Sequence, residues 1–211
     1  MRLSNVYLIR HGETEWNREG RIQGHSESTL SNQGIIQTRK AAVQLKNIPF
    51  DHIYCSSSLR TRQTLNILQP HLFPNAIIHF EDALREIHLG HWEGQLHSEV
   101  QATEPDSYHN YTNRPELFSI VDGESYTELQ QRAWNWFTTM LHSQPFSNAL
   151  IVSHGVWIRT LLARAINLPI HKLHQIPRLQ NCAIRIIHID DNLTPSLDPV
   201  NGMKQTPYTA D

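Results

Sequence analysis

Three short apolar runs in this chain each end in arginine or histidine. Val6-Tyr7-Leu8-Ile9 leads into Arg10-His11-Gly12-Glu13. Ile53-Tyr54-Cys55 leads into Ser56-Ser57-Ser58-Leu59-Arg60, and Ala149-Leu150-Ile151-Val152 into Ser153-His154-Gly155. Arg10 and Arg60 carry planar, permanently charged forks that match phosphate oxygens in two-point contacts. His11 is a candidate nucleophile. For that role its attacking nitrogen must be bare, and the other nitrogen should donate to a backbone carbonyl. In-line attack on phosphorus would give a phosphohistidine, with cationic neighbours stabilising the charge on the group in transfer. His154, if protonated, would add to that charge. Expelling an alcohol also needs a proton donor, best supplied by a carboxyl beside the pocket. Glu86, in an irregular stretch before Gly90, is the first candidate, and Glu13 and Glu15 are rivals. Residue chemistry alone leaves that choice open.

The elements that must position these groups follow from patterning. Strands are expected at 3–9, 51–55, 76–80, 148–153 and 182–189. Helices are expected from a Ser31 cap to about Asn47, from Leu59 to Leu68, and from Gly155 to Leu168. Ser125-x-x-Glu128 is a capping-box pattern that opens a long helix to about His142. Strands alternating with helical runs predict an α/β three-layer sandwich, with helices flanking a mostly parallel central sheet. Ligands bind such sheets at the C-terminal ends of the strands, where the Arg and His residues fall. The stretch 14–29 is read as a long loop. Apolar residues thin out between Gln95 and Gly123, which predicts a small inserted cap at about 95–123 in a single domain of residues 1–190. Residues 191–211 read as a polar, proline-containing tail, extended or disordered.

Composition narrows the field. The 211 residues carry a net charge of −2 with histidines neutral, so no global basic field would recruit nucleic acid or a membrane surface. No run approaches the roughly 20 apolar residues of a membrane span, and the first residues lack a signal-peptide pattern, so a cytoplasmic location is expected. Two distant cysteines, Cys55 and Cys182, read as buried free thiols of a reducing compartment. There are fourteen histidines, too many for a lone one to mean anything, and none forms an H-E-x-x-H or a compact cluster with cysteine. No metal site is expected. The absence of a G-x-S-x-G elbow excludes a serine hydrolase of that type.

The longer motifs are more specific. Leu8-Ile9-Arg10-His11-Gly12-Glu13-Thr14-x-Trp16-Asn17, continued by Arg21-Ile22-Gln23-Gly24 and Leu30-Ser31-x-x-Gly34, resembles the signature of the histidine phosphatase superfamily, in its phosphoglycerate mutase-like branch. Ser56-x-x-x-Arg60-Thr61-Arg62-Gln63-Thr64 and Leu84-Arg85-Glu86-Ile87-x-x-Gly90-x-Trp92-Glu93-Gly94 resemble its second and third motifs. Gly123-Glu124-Ser125 and Val152-Ser153-His154-Gly155-x-x-Ile158-Arg159 complete the set in order. The resemblance implies that His11 is phosphorylated and that Glu86 is the acid and base. It also implies that Arg10, Arg60 and His154 form the phosphate pocket, with Asn17 as a further donor. Gln23 and Gly24 would flank the substrate, and the Gly155 amide would contact phosphate. It implies no metal and no organic cofactor. The sequence departs from the pattern in three places. Glu27-Ser28-Thr29-Leu30 replaces the usual D-x-P-L, Ser58 replaces a hydrophobic residue, and His88 and His91 fill positions often acidic or aromatic.

Two enzyme readings share this nucleophile. A mutase must hold a doubly phosphorylated acid, which calls for extra cations at the pocket mouth. From Gln95 to Glu124 the only Lys or Arg is Arg114, against Glu99, Glu104, Asp106, Glu116, Asp122 and Glu124. That balance favours a phosphomonoesterase acting on small phosphorylated metabolites. Trp92, Tyr108, Tyr111 and His88 could line its leaving-group side, although packing in the cap and core is the commoner role for any one of them. A cofactor-dependent phosphoglycerate mutase is the alternative, and a phospho-ligand-binding pseudophosphatase, which would show a broken pocket, the second. A small phosphomonoester is the expected partner, with the chain a monomer or homodimer.

Overall fold

The computed structural model describes residues 4–72 and 75–197. In chain order the elements are β1 (Ser4–Arg10), α1 (Glu15–Glu19), α2 (Asn32–Leu45), β2 (His52–Ser56), α3 (Leu59–Leu68), β3 (Ile77–Glu81), α4 (His97–Thr103), α5 (Pro105–Asn113), α6 (Tyr126–Ser143), β4 (Asn148–Ser153), α7 (Gly155–Ala165), β5 (Ile184–Ile189) and β6 (Pro195–Leu197). The six strands form one sheet in the order β3-β2-β4-β1-β5-β6. β3, β2, β4 and β1 run parallel, while β5 pairs antiparallel with β1 and β6 antiparallel with β5. This is the expected α/β architecture, a mostly parallel sheet flanked by helices.

The period-2 alternation of strand side chains divides the core into two layers. Val6 and Leu8 of β1, Tyr54 of β2 and Ala149 and Ile151 of β4 pack against Leu129, Ala133 and Phe137 of α6 and Trp157 and Leu161 of α7. Ile9, Ile53, Cys55, Leu150 and Val152 point the other way, onto Ala41, Ala42 and Leu45 of α2 and Leu65 and Leu68 of α3. β4 lies inside the sheet, and its residues 149–153 are all buried. That explains why its sequence is continuously apolar rather than alternating.

Helix ends sit where the caps place them. The Ser31 hydroxyl accepts the Gly34 amide at 3.0 Å. Ser125 and Glu128 close a reciprocal capping box at the start of α6. The stretch 14–29 differs from the loop expectation. Thr14 and Asn17 bond reciprocally and nucleate α1, which ends at Gly20 in the left-handed region. Short-range side-chain bonds of this kind stabilise a single turn that carries no apolar periodicity. The acidic stretch between β3 and α6 folds into α4 and α5, which meet at Glu104-Pro105. The beginning of the polar tail is extended, because Pro195–Leu197 adds β6 to the sheet edge. The remainder of the tail lies outside the described residues, as does Leu3. Cys55 is buried as expected, whereas Cys182 is only half-buried, since it sits with φ 59° in the turn before β5 rather than inside that strand. Among the described residues no helix is long and apolar enough to cross a membrane.

Candidate active site

The parallel register brings three strand ends together. Arg10 lies opposite Ser153, the neighbouring strand β2 ends at Ser56, and the His11 amide continues the ladder by donating to the Ser153 carbonyl at 3.0 Å. His11 is therefore fixed by the last rung of a central strand pair. Its Nδ1 lies 2.8 Å from the Gly12 carbonyl oxygen. A carbonyl can only accept, so Nδ1 carries the proton and Nε2 is bare. Gly12 is required here because a Cβ would stand 2.7 Å from Thr38 Oγ1 and 2.8 Å from the Gly34 carbonyl. Burial first, then Arg60 and Arg10, hold the His11 imidazole well below its ordinary titration range and keep it neutral.

Arg60, on the first turn of α3, is 1% exposed. Its Nη2 donates to the Gly24 carbonyl at 2.8 Å and its Nη1 to the Ser26 carbonyl at 2.9 Å. Burial pulls this guanidinium down to about 10, still charged at neutral pH. Its Nε donates to His154 Nδ1 at 3.2 Å. His154 Nδ1 is thus an acceptor, and Nε2, 2.8 Å from Ser56 Oγ, carries the proton. Burial and the nearby Arg60 push His154 well below its usual range. The charged His154 considered from sequence is not the form this arrangement holds. Here it is a neutral ring that orients Arg60, and both of its nitrogens are partnered. The two histidine rings lie 5.3 Å apart between centroids. Arg10 donates from Nη1 to the Leu179 carbonyl at 2.6 Å, while its Nε is buried without a protein partner among the described residues. Gly155 leaves room for it, since a Cβ there would come 3.3 Å from Arg10 Nε.

The other sequence candidates converge on the same edge. Asn17 Oδ1 accepts the Thr14 amide at 3.2 Å, which fixes the orientation of the side-chain amide and leaves Nδ2 unpartnered among the described residues. Gln23 is buried with Oε1 unpaired among the described residues. Gly24 has φ 54°, and its backbone turns to present the carbonyl that Arg60 takes. The Glu86 carboxylate accepts from the Val156 and Trp157 amides at 3.1 and 3.0 Å and so sits on the N-terminus of α7, beside Gly155. Its two rivals are engaged elsewhere. Glu13 accepts from Ser31 Oγ at 2.6 Å, and Glu15 pairs with Arg18 at 2.7 Å. Glu27, one of the departures, has structural work. Its Oε2 accepts the Leu59 amide at 2.8 Å, where the Ser58 side chain makes no cap bond.

Some contributors carry no local sequence signal. Asn181 Nδ2 donates to the His11 carbonyl at 3.1 Å and lies 3.3 Å from Asn17 Oδ1. The Leu179 carbonyl holds Arg10, and Ser56 holds His154. Of the aromatic residues weighed for the leaving-group side, Trp92 is fully buried and donates to Glu104 at 2.9 Å, so it takes the core-packing role. Tyr111 packs on Phe118 and Tyr126, and His88 stacks on His25 with centroids 4.6 Å apart. Among the described residues no group of three or more His, Cys, Asp or Glu could hold a metal ion.

A bare imidazole nitrogen near one buried and one half-buried arginine, on the same sheet edge as a carboxylate at a helix N-terminus, has the chemistry to move a phosphoryl group. The family model described as histidine phosphatase superfamily (branch 1) matches residues 6–199. The chain belongs to that superfamily. It is 34% identical over 187 residues to the probable phosphoglycerate mutase GpmB of Enterobacter sp. (strain 638), spanning 89% of this chain and 86% of that one. Among solved structures it is similar to Bacillus stearothermophilus YhfR, with a TM-score of 0.85 and 32% identity over 92% of this chain and 95% of that one. It is also similar to the alpha-ribazole phosphatase of Shigella flexneri, with a TM-score of 0.82 and 25% identity, covering 97% of this chain and 100% of the other. This histidine phosphatase superfamily member thus stands among relatives bearing both mutase and phosphatase names.

Proposed function

We propose that the protein is a phosphomonoesterase that hydrolyses small phosphorylated metabolites through a phosphohistidine on His11. The observation that carries this reading is the His11 tautomer, with Nδ1 bound to the Gly12 carbonyl and Nε2 bare near the Arg60 and Arg10 cations. In the first step Nε2 attacks phosphorus and the P–O ester bond breaks, while Glu86 gives its proton to the departing oxygen, releasing an alcohol. In the second step Glu86 takes a proton from water, whose oxygen attacks phosphorus. The N–P bond breaks, phosphate leaves and His11 is restored. Arg10, with a buried Nε to offer, and Asn17, with an unpartnered Nδ2, hold the phosphoryl oxygens alongside Arg60 and the Gly155 amide. His154 keeps Arg60 in place by accepting from its Nε as a neutral ring. Gln23 and Gly24 form the wall that substrate meets. The reaction as proposed needs no metal and no organic cofactor, because guanidinium groups supply the positive charge.

Hydrolysis is favoured over mutase chemistry because α4 and α5, which we assign to a cap over the pocket, are acidic. One observation supports the mutase as a second reading. Burial pushes the Tyr111 phenol of α5 upward, and Arg178 and Arg159, both from outside the cap, oppose that push. Cations therefore do reach the cap from other segments. The test is direct. With an aryl phosphate in metal-free buffer, the wild type should release phosphate and carry acid-labile phosphate on His11, and His11→Ala should do neither. Full activity in His11→Ala refutes the mechanism, and trapped phosphate without turnover would favour a binding protein. With 3-phosphoglycerate and bisphosphoglycerate supplied together, free phosphate should appear faster than 2-phosphoglycerate. The reverse order establishes the mutase.

A further inference from the structure

Arg132, on α6, uses every donor it has. A guanidinium carries five N–H groups, and five hydrogen bonds leave this one. Nε and Nη2 take the two Glu124 carboxylate oxygens at 2.9 and 2.7 Å. Nη1 donates to the carbonyls of Ala83 and Arg85 at 2.8 and 2.9 Å, and Nη2 to the Glu86 carbonyl at 3.2 Å. Nothing is left for a substrate. Three of the five bonds fall on the short segment that ends at Glu86, which includes a single 3-10 turn (Asp82–Leu84) and has no sheet or helix ladder beyond it. Glu124 grips the chain on the far side. Its amide donates to the His88 carbonyl at 2.8 Å, and the His88 amide approaches its Oε2 at 3.4 Å. The backbone is thus clamped before and at Glu86 by Arg132 of α6, and after it by Glu124, which lies just ahead of that helix.

We infer that Arg132, braced by Glu124, is a positioning residue that sets where the Glu86 carboxyl stands relative to the leaving oxygen. The inference rests on the reading of Glu86 as general acid. The planar fork is what the site requires. Lysine has three donors on one nitrogen and cannot reach three carbonyls and a bidentate carboxylate together. The segment has other anchors, since Trp157 Nε1 donates to the Ala83 carbonyl and Ser153 Oγ to the Leu84 carbonyl, both at 2.8 Å, and His25 Nε2 lies 2.9 Å from the Glu86 carbonyl oxygen. Without the clamp these bonds and those to α7 keep the segment folded, but the Arg85 carbonyl loses its partner and the peptide that carries Glu86 shifts. Proton transfer needs heavy atoms within hydrogen-bond reach, so a small displacement weakens this step before any other.

Such a role has a signature that a general loss of stability lacks. A poor leaving group needs the proton, whereas a good one departs without it. Arg132→Met and Glu124→Gln should be compared with the wild type by kcat/KM on an alkyl phosphate and on 2,4-dinitrophenyl phosphate, with thermal melts alongside. Arg132→Met is expected to lose about tenfold or more on the alkyl ester and less than about threefold on the dinitrophenyl ester, a fraction of what full loss of general acid catalysis would remove. Glu124→Gln should show the same selectivity to a smaller extent. Equal losses on both esters, or none on either, overturn the inference. If Arg132→Met does not fold, Glu124→Gln and Arg132→Lys are judged on the same criterion. Glu86→Gln in the same assay reports on the underlying reading. It should lose about a hundredfold or more on the alkyl ester alone. A uniform loss there refutes the general acid itself, whereas a selective loss there with uniform loss in Arg132→Met refutes only the positioning role.

Discussion

Asn17 separates structural from chemical work at a single side chain. Its Oδ1 accepts from the Thr14 amide at 3.2 Å and from Asn181 at 3.3 Å, while Nδ2 is the atom proposed to meet phosphate. Asn17→Ala removes both acceptor bonds and leaves the reciprocal bond from its own amide to Thr14 Oγ1 in place. Two long hydrogen bonds at about 0.5–1 kcal/mol each give a loss of roughly 1–2 kcal/mol. In a domain of this size that lowers Tm by about 2–8 °C. Activity should also fall about 10–100-fold through the missing donor. Asn17→Asp is the discriminating variant. A carboxylate still accepts both bonds, so Tm should stay within about 2 °C of the wild type. The same carboxylate faces the phosphoryl group, and at about 4 Å and an effective dielectric of about 20 it is repelled by about 4 kcal/mol per unit of phosphate charge. That is a loss of more than about a thousandfold in kcat/KM. The assay is a thermal melt and aryl phosphate turnover for both variants. Near-wild-type activity in Asn17→Asp would refute the assignment of Nδ2 to phosphate, and a large fall in its Tm would refute the account of the cap.

Acid should destabilise the fold through His11 and His154. Both have folded-state values depressed well below 6.5, so the unfolded chain binds protons that the native state refuses, and stability falls as pH drops below about 6.5. Urea melts should show a slope approaching about 1.4 kcal/mol per pH unit for each ring between pH 6 and 5, reduced by about one ring's share in His154→Asn; a flat profile would contradict the burial of both rings. Gly24→Ala should lose stability and activity together. It forces a side chain into φ 54° and against the Glu93 carboxylate, and it moves the carbonyl that holds Arg60. Unchanged kcat/KM in that variant would show that the Gly24 carbonyl does not set the Arg60 position.

Most of the fold was legible because its signals are local. Ser31, Ser125 and Glu128 cap helices within three residues of themselves, and α3 spans the expected Leu59–Leu68. The short α1 escaped notice because a one-turn helix held by Thr14 and Asn17 has no apolar period. β6 was hidden for a related reason, since Pro195–Leu197 becomes a strand only by pairing with β5.

By itself the sequence determined the strands, their cationic ends and the ordered motifs that identify the superfamily. Those depend on residue type and on spacings of a few positions, which any chain with this pattern must express. Tertiary structure alone decided where the Glu86 carboxylate is held and which hydrogen-bond roles the second histidine takes. Glu86 reaches the α7 amides across 70 and 71 positions, and Arg60 meets His154 across 94. Asn181 closes on Asn17 across 164. Proton positions and donor supply at the pocket follow from partners brought together by the sheet, and residue type leaves those partners open. The charge on His154 shows this most clearly. Its residue type permits a cation, and the Arg60 Nε that the fold places against Nδ1 makes it a neutral acceptor.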